Sequence, residues 1–218
     1  MTTKTEPVRA SDWLKMLIDD EWSVDAVTIL SGQNLASGAV VGQITKGAAT
    51  GAAVAGNTGD GTITASPTVG AGAKVGVYRL TCIEPATNLG KFTVEDPDGI
   101  VIGVATVGTQ FTTQLTFTIA DGVTDFVSGD AFTITVAAGS GKWKASPNTG
   151  TDGAEIAAGV LLNAVDASGG DKPGVVVRRG ASLTPFYLSY DSSVDDSTKK
   201  GVKQTQLNAI NIFVRAGA

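Results

Sequence analysis

This sequence predicts a mainly β protein, sandwich or barrel, from three observations. Gly, Ala, Thr and Val dominate, and charged residues make up only 17% of the chain. The apolar runs are too short for helices but long enough for strands, and several alternate with threonine at a period of two. Clusters of Gly, Asp, Asn, Ser and Pro recur between them, which is the turn chemistry of a chain that reverses often. At 218 residues the length suits one large domain or two small ones, with room for a buried core.

Residues 1–10 are polar and contain Pro7, so they are expected to be extended or disordered. In the segment 11–22, Trp13, Leu14, Leu17 and Ile18 fall at helical spacing behind Ser11 as N-cap, with Trp22 at the end. Two tryptophans in so short a polar arm have two readings. They dock on the chain's own core, or they anchor the arm to a partner, since Trp is enriched at interface hot spots. Residues 23–44 hold two strands around turns at Gly32 and Gly38. Residues 46–61 are almost all Gly, Ala and Thr, with little to pack, and read as a linker or long loop.

A second β pattern follows. Residues 62–66 form a short strand, and 67–74 a Gly-rich loop. Tyr78, Leu80 and Cys82 alternate with Val77, Arg79 and Thr81, and Phe92 and Val94 alternate with Thr93 and Glu95. Asp96-Pro97-Asp98-Gly99 is a turn, and residues 100–104 are an apolar strand. Leu115, Phe117 and Ile119, then Phe132, Ile134 and Val136, alternate with threonines. This spacing puts an apolar row inside and a Thr-rich row outside, as in a small sandwich of about seven strands.

The last third repeats the strand-and-turn rhythm. Lys142-Trp143-Lys144-Ala145, Ala157-Ala158-Gly159-Val160-Leu161-Leu162 and Val175-Val176-Val177-Arg178-Arg179-Gly180-Ala181 read as strands separated by polar turns. A strand is expected around Phe186, Tyr187, Leu188 and Tyr190. Residues 191–201 read as a charged loop, 203–207 as a brief turn, and Ile210, Ile212 and Val214 as a closing strand before a frayed end.

Composition narrows the chemistry. The chain has no histidine, which removes the usual general base and metal-binding imidazole. No catalytic residue, cofactor or metal site is therefore expected. Glycines at 70, 72 and 76 precede a strand rather than opening a helix, so they do not make a phosphate-binding loop. Asp96 and Asp98 read as a plain turn, and Asp191, Asp195 and Asp196 as a solvated loop. The net charge of −5, without a run of Lys or Arg, argues against nucleic acid as a partner. Cys82 is the only cysteine, so no internal disulfide forms, and its place in an alternating strand predicts a buried, inert thiol. No stretch reaches the roughly 20 apolar residues that span a bilayer, and no secretory signal is expected.

The order of strands at Lys142–Ala145, Ala157–Leu162 and Val175–Ala181, together with Val27-Thr28-Ile29-Leu30-Ser31-Gly32-Gln33-Asn34-Leu35 and the run that follows to Ile44, resembles the lambda-type head decoration proteins of tailed phages. The resemblance covers roughly the first quarter and last third of the chain. It implies a capsid-binding arm at residues 1–22 and a β-tulip or barrel-like core at 23–55 and 139–218. Residues 56–138 are then an inserted immunoglobulin-like sandwich, with Gly/Ala-rich hinges near Ala52 and Ala138.

The implied function is structural: binding the outer surface of the assembled head and stabilising it. The partners would be the major capsid protein and the chain itself as a homotrimer. The place would be the virion surface after synthesis in the host cytoplasm, without membrane insertion. Trp13, Leu14, Leu17, Ile18 and Trp22 would anchor the arm. Arg178 and Arg179 of one copy would meet Asp195 and Asp196 of the next; a solvated strand end is the alternative. The rival function is a surface-displayed binding module whose inserted sandwich recognises a host surface or glycan.

Overall fold

The computed structural model describes residues 6–215; the ends of the predicted arm and of the frayed tail, 1–5 and 216–218, lie outside the described residues. The chain is mainly β and divides into two compact units. The first joins Met1–Thr45 to Gly141–Ala218, and the second is Lys46–Ser140.

The first unit is built on a closed barrel of five strands: Trp143–Ala145, Val24–Ile29, Lys172–Val177, Gly159–Leu161 and Val40–Gln43. Closure pairs every strand on both sides, which removes exposed edges. Val160 faces Val177 and Val41 faces Gly159 across neighbouring strands. Gly42 is required by close approach, because a Cβ there would lie 2.1 Å from the Ala154 carbonyl oxygen. One apolar cluster gathers Ile29, Val41, Trp143, Leu161 and Val176. A second gathers Trp13, Val40, Val160, Val177, Leu183, Leu207 and Ile212.

Two helices, a three-stranded sheet and the strand pair Asn34–Leu35 with Val165–Asp166 lie beside the barrel in this unit. Helix α1 is a single turn, Ala10–Trp13, and the strand Leu14–Leu17 follows directly. The helix expected over 11–22 thus stops after one turn. A turn that short has little stability of its own, and the next residues instead pair antiparallel with Ala181–Leu183. Helix α2, Ser197–Ala209, replaces the expected loop and brief turn. Its inward positions are Lys203 and Leu207, so the apolar periodicity that marks a helix is broken by a lysine.

That lysine is fully buried. Its ammonium donates to the Ser146 hydroxyl at 2.9 Å, to the Pro147 carbonyl at 2.6 Å and to the Glu155 carbonyl. Burial holds its pKa below the usual lysine value, and the charges of Glu155 and Asp191 offset only part of that. The expected strand near Phe186 is a 3-10 turn, Pro185–Tyr187, with the proline at its start where no N–H is needed.

The second unit is two antiparallel sheets. The larger runs Val101–Thr106, Leu89–Glu95, Gly76–Ala86, Ala131–Ala138, Lys46–Ala53 in spatial order. The smaller contains Gln110–Thr112, Leu115–Ala120 and Thr62–Ile63, with Thr68–Val69 also on Leu115–Ala120. Much of the expected linker 46–61 is therefore a strand. Its small residues serve close approach: a Cβ on Gly51 would lie 2.4 Å from the Thr64 carbonyl oxygen.

Phe92, Phe126 and Phe132 meet at ring-centroid distances of 5.0 to 5.7 Å in the core, mostly edge to face. Cys82 lies in the same core, and burial raises its thiol pKa. The 96–99 turn closes on itself: Asp96 Oδ1 accepts from the N–H groups of Asp98 and Ile100 at 2.9 and 3.0 Å.

Candidate functional site

The surface with functional character in the first unit starts from the three-stranded sheet of Leu14–Leu17, Ala181–Leu183 and Ile212–Val214. Alternation sorts its residues between two faces. Ala181, Leu183 and Ile212 are buried in the core. Met16, Ser182 and Phe213 stand opposite one another in register, so they form one row on the other face. Met16 is 56% exposed and Phe213 39%. The Arg215 guanidinium lies 5.2 Å from the Phe213 ring centroid.

The turn after the first strand extends this surface. The Ile18 N–H donates to the Gly180 carbonyl at 2.9 Å. Asp19 Oδ1 accepts from the Trp22 and Glu21 N–H groups at 2.6 and 2.9 Å, which holds the turn closed. Arg179 donates to the Trp22 carbonyl at 2.8 Å and sits 5.6 Å from its ring centroid. Gly180 has φ +59°, and a Cβ there would lie 2.4 Å from Trp22 Cζ3 and 3.2 Å from Ile18 Cδ1. Both side chains thus rest on a bare backbone, yet Ile18 is 67% and Trp22 49% exposed.

A cleft of about 470 Å³ adjoins Arg179. Ile156, Ala157 and Ala158 form one wall, Gln206, Ala209 and Ile210 of the α2 end the other, and Arg178 and Arg179 the rest. Gln206 Oε1 accepts from the Ala157 N–H at 2.8 Å and ties the walls together. Both guanidiniums donate to one atom, Asp25 Oδ2, at 3.1 Å from Arg178 and 2.7 Å from Arg179. Arg178 also lies 5.2 Å over the buried Trp143 ring.

The structure divides the predicted arm residues. Trp13 is fully buried, and its indole N–H donates to the Ser37 hydroxyl at 3.0 Å. Leu14 and Leu17 are half-buried against the same core. Only Ile18 and Trp22 face outward, beside Arg179. Arg178 and Arg179 find their acidic partner in Asp25 of their own chain. Asp195 pairs with Lys199 at 2.6 Å, which holds its carboxyl below the usual range, and Asp196 caps α2 by accepting from the Lys199 N–H at 2.8 Å.

Met16, Phe213 and the cleft residues Ile156 and Gln206 were not singled out by sequence reasoning, and Ile210, expected in the closing strand, instead caps the end of α2. For Phe213 a signal existed: strand alternation places it opposite Ile212 and Val214. The cleft brings together residues far apart in sequence and left no local signal. Among the described residues no group of acidic or cysteine side chains could hold a metal ion, and no helix is long and apolar enough to cross a membrane.

Comparison with known proteins gives one strong match. Two crystal structures of Xanthomonas campestris FlgL, in space groups H3 and C2, align at 18% and 19% identity with TM-scores of 0.33, over 47% and 44% of this chain. The chain spans about a third of their length, 33% and 31%. No curated protein matches. The family model described as bacteriophage lambda head decoration protein D matches residues 3–212, nearly the whole chain. The chain belongs to the bacteriophage lambda head decoration protein D family.

Proposed function

We propose that this protein binds the outer surface of an assembled phage head and stabilises it. It does so through the first-unit face made by Met16, Ile18, Trp22 and Phe213. The observation that carries the reading is that face: large apolar side chains left exposed on a small sheet of a chain in a head decoration family. Exposed apolar patches of this kind mark interaction sites. Burial of such surface is worth about 25 cal/mol per Å², so two or three of these side chains supply a few kcal/mol per copy. A protein that binds the shell but not its dissociated subunits shifts the balance toward the assembled state, and many copies add to the effect.

In this reading the copies are trimeric. The second unit is an immunoglobulin-like insert carried by the core. Recognition of a glycan by that unit is the weaker reading. Tyr78, Phe92, Phe111, Phe117, Phe126 and Phe132 are all buried in its core, so its rings are not displayed for stacking on sugars.

The test is co-sedimentation with expanded, undecorated shells, paired with thermal disruption of the shells. The wild-type chain should pellet with the shells and raise their disruption temperature. The double variant Ile18→Ser, Trp22→Ser should fold with an unchanged melting temperature yet bind on the order of tenfold more weakly. Equal binding by the folded variant would remove this face from the proposal.

A further inference from the structure

We infer that the cleft between Ile156 and Ile210 is a docking site for a coat-protein segment that carries apolar side chains and a carboxylate. This rests on the shell-binding reading and names the chemistry of the partner. The argument begins with charge. Two guanidiniums, Arg178 and Arg179, converge on the single oxygen Asp25 Oδ2, so one carboxylate faces two positive charges. This is a cationic spot on a molecule whose net charge is −5. It lies in a cleft whose other walls include Ile156 and Ile210.

A carboxylate entering there would meet planar donors suited to it, with apolar walls for the residues beside it. The cleft is also pre-formed. The Gln206–Ala157 hydrogen bond joins its walls, and Lys203 fastens the same helix to the Glu155 carbonyl just ahead of them. Pre-formed walls reduce the ordering cost of binding. The shell is the favoured occupant over a second copy because Arg179 belongs to both the cleft and the seat of Trp22. The cleft is thus continuous with the face proposed to meet the shell.

The variant that tests this is Gln206→Glu. A glutamate keeps an oxygen for the Ala157 N–H and adds a second negative charge to the cleft that the two arginines line. Full-length wild-type and variant chains are titrated onto undecorated shells between about 50 and 300 mM NaCl, a range over which the Debye length shortens by a factor of about 2.5. The variant should bind roughly tenfold more weakly at low salt, with a flatter salt dependence and an unchanged melting temperature. A second variant, Ile156→Ala, probes the apolar wall without touching any charge and should weaken binding at all salt concentrations.

Wild-type affinity and salt dependence in both variants would overturn the inference while leaving shell binding intact. Failure of the wild-type chain to bind shells would instead overturn the reading beneath it. A change in oligomeric state by sedimentation, with shell affinity unaltered, would reject the coat-protein assignment in favour of a second copy.

Discussion

Trp13 is fully enclosed, and its indole N–H reaches a hydroxyl that itself donates to the Leu162 carbonyl at 2.7 Å. Removing that ring opens a large cavity and strands a buried donor network. Trp13→Ala should therefore cost about 3–5 kcal/mol in chemical denaturation of the first unit. Wild-type stability in that variant would show that the ring is dispensable to the core. Asp130 plays a comparable role in the second unit. Burial alone would raise its carboxyl pKa, but N–H donors from Val127, Thr58 and Gly59 outweigh it and hold the group below its usual value.

A carboxylate with a depressed folded-state pKa contributes stability that is present above about pH 3.9, its unfolded value, and is lost as pH falls through the folded value. The second unit should therefore lose stability as pH drops below about 3.9. Asp130→Asn should flatten that acid limb while lowering stability near neutrality. Melting curves across this range, followed by a probe of the second unit, would show it. An unaltered limb in the variant would mean that other carboxylates carry the acid response.

At the level of elements, legibility followed side-chain pattern. Strands in which apolar residues alternate with threonine, such as Leu115–Ala120 and Ala131–Ala138, were readable because the core takes every second residue. Lys46–Ala53 was not, since a strand built of Gly and Ala for close packing has the composition of a linker. Helix α2 was hidden in the same way, with one of its two buried positions occupied by a lysine. Its start was legible in principle, because Asp196 followed by Ser and Thr is an N-cap sequence. Loss of that cap in Asp196→Ala should cost about 1 kcal/mol and fray the first turn. Faster amide exchange confined to that turn, with the rest of α2 protected, is the expected signature; uniform exchange across the helix would argue against a local cap.

For the whole molecule, the joint between the units is the informative feature. Val40–Gln43 and Trp143–Ala145 are antiparallel neighbours, with Gln43 opposite Trp143. Ile44 and Lys142 continue the pairing, since the Ile44 N–H donates to the Lys142 carbonyl at 2.9 Å and the Gly141 N–H returns to Ile44 at 3.0 Å. The first unit therefore presents a hairpin whose loop is Lys46–Ser140. Replacing that loop by a short Gly/Asn turn should leave the first unit folded, because a shorter loop closes at lower entropic cost. A barrel that no longer folds would show that the loop supplies part of its core. The surface that joins Met16, Trp22, Phe213 and the cleft was not legible in the sequence. That surface exists only once both ends of the chain meet in one sheet.

The central claim is that this face of the first unit meets the shell, and a cryo-electron reconstruction of shells decorated with the full-length chain tests it most directly. The account predicts density for the first unit seated on the shell, with Met16, Ile18, Trp22 and Phe213 at the contact. Density in which these side chains face solvent while the second unit makes the contact would contradict it.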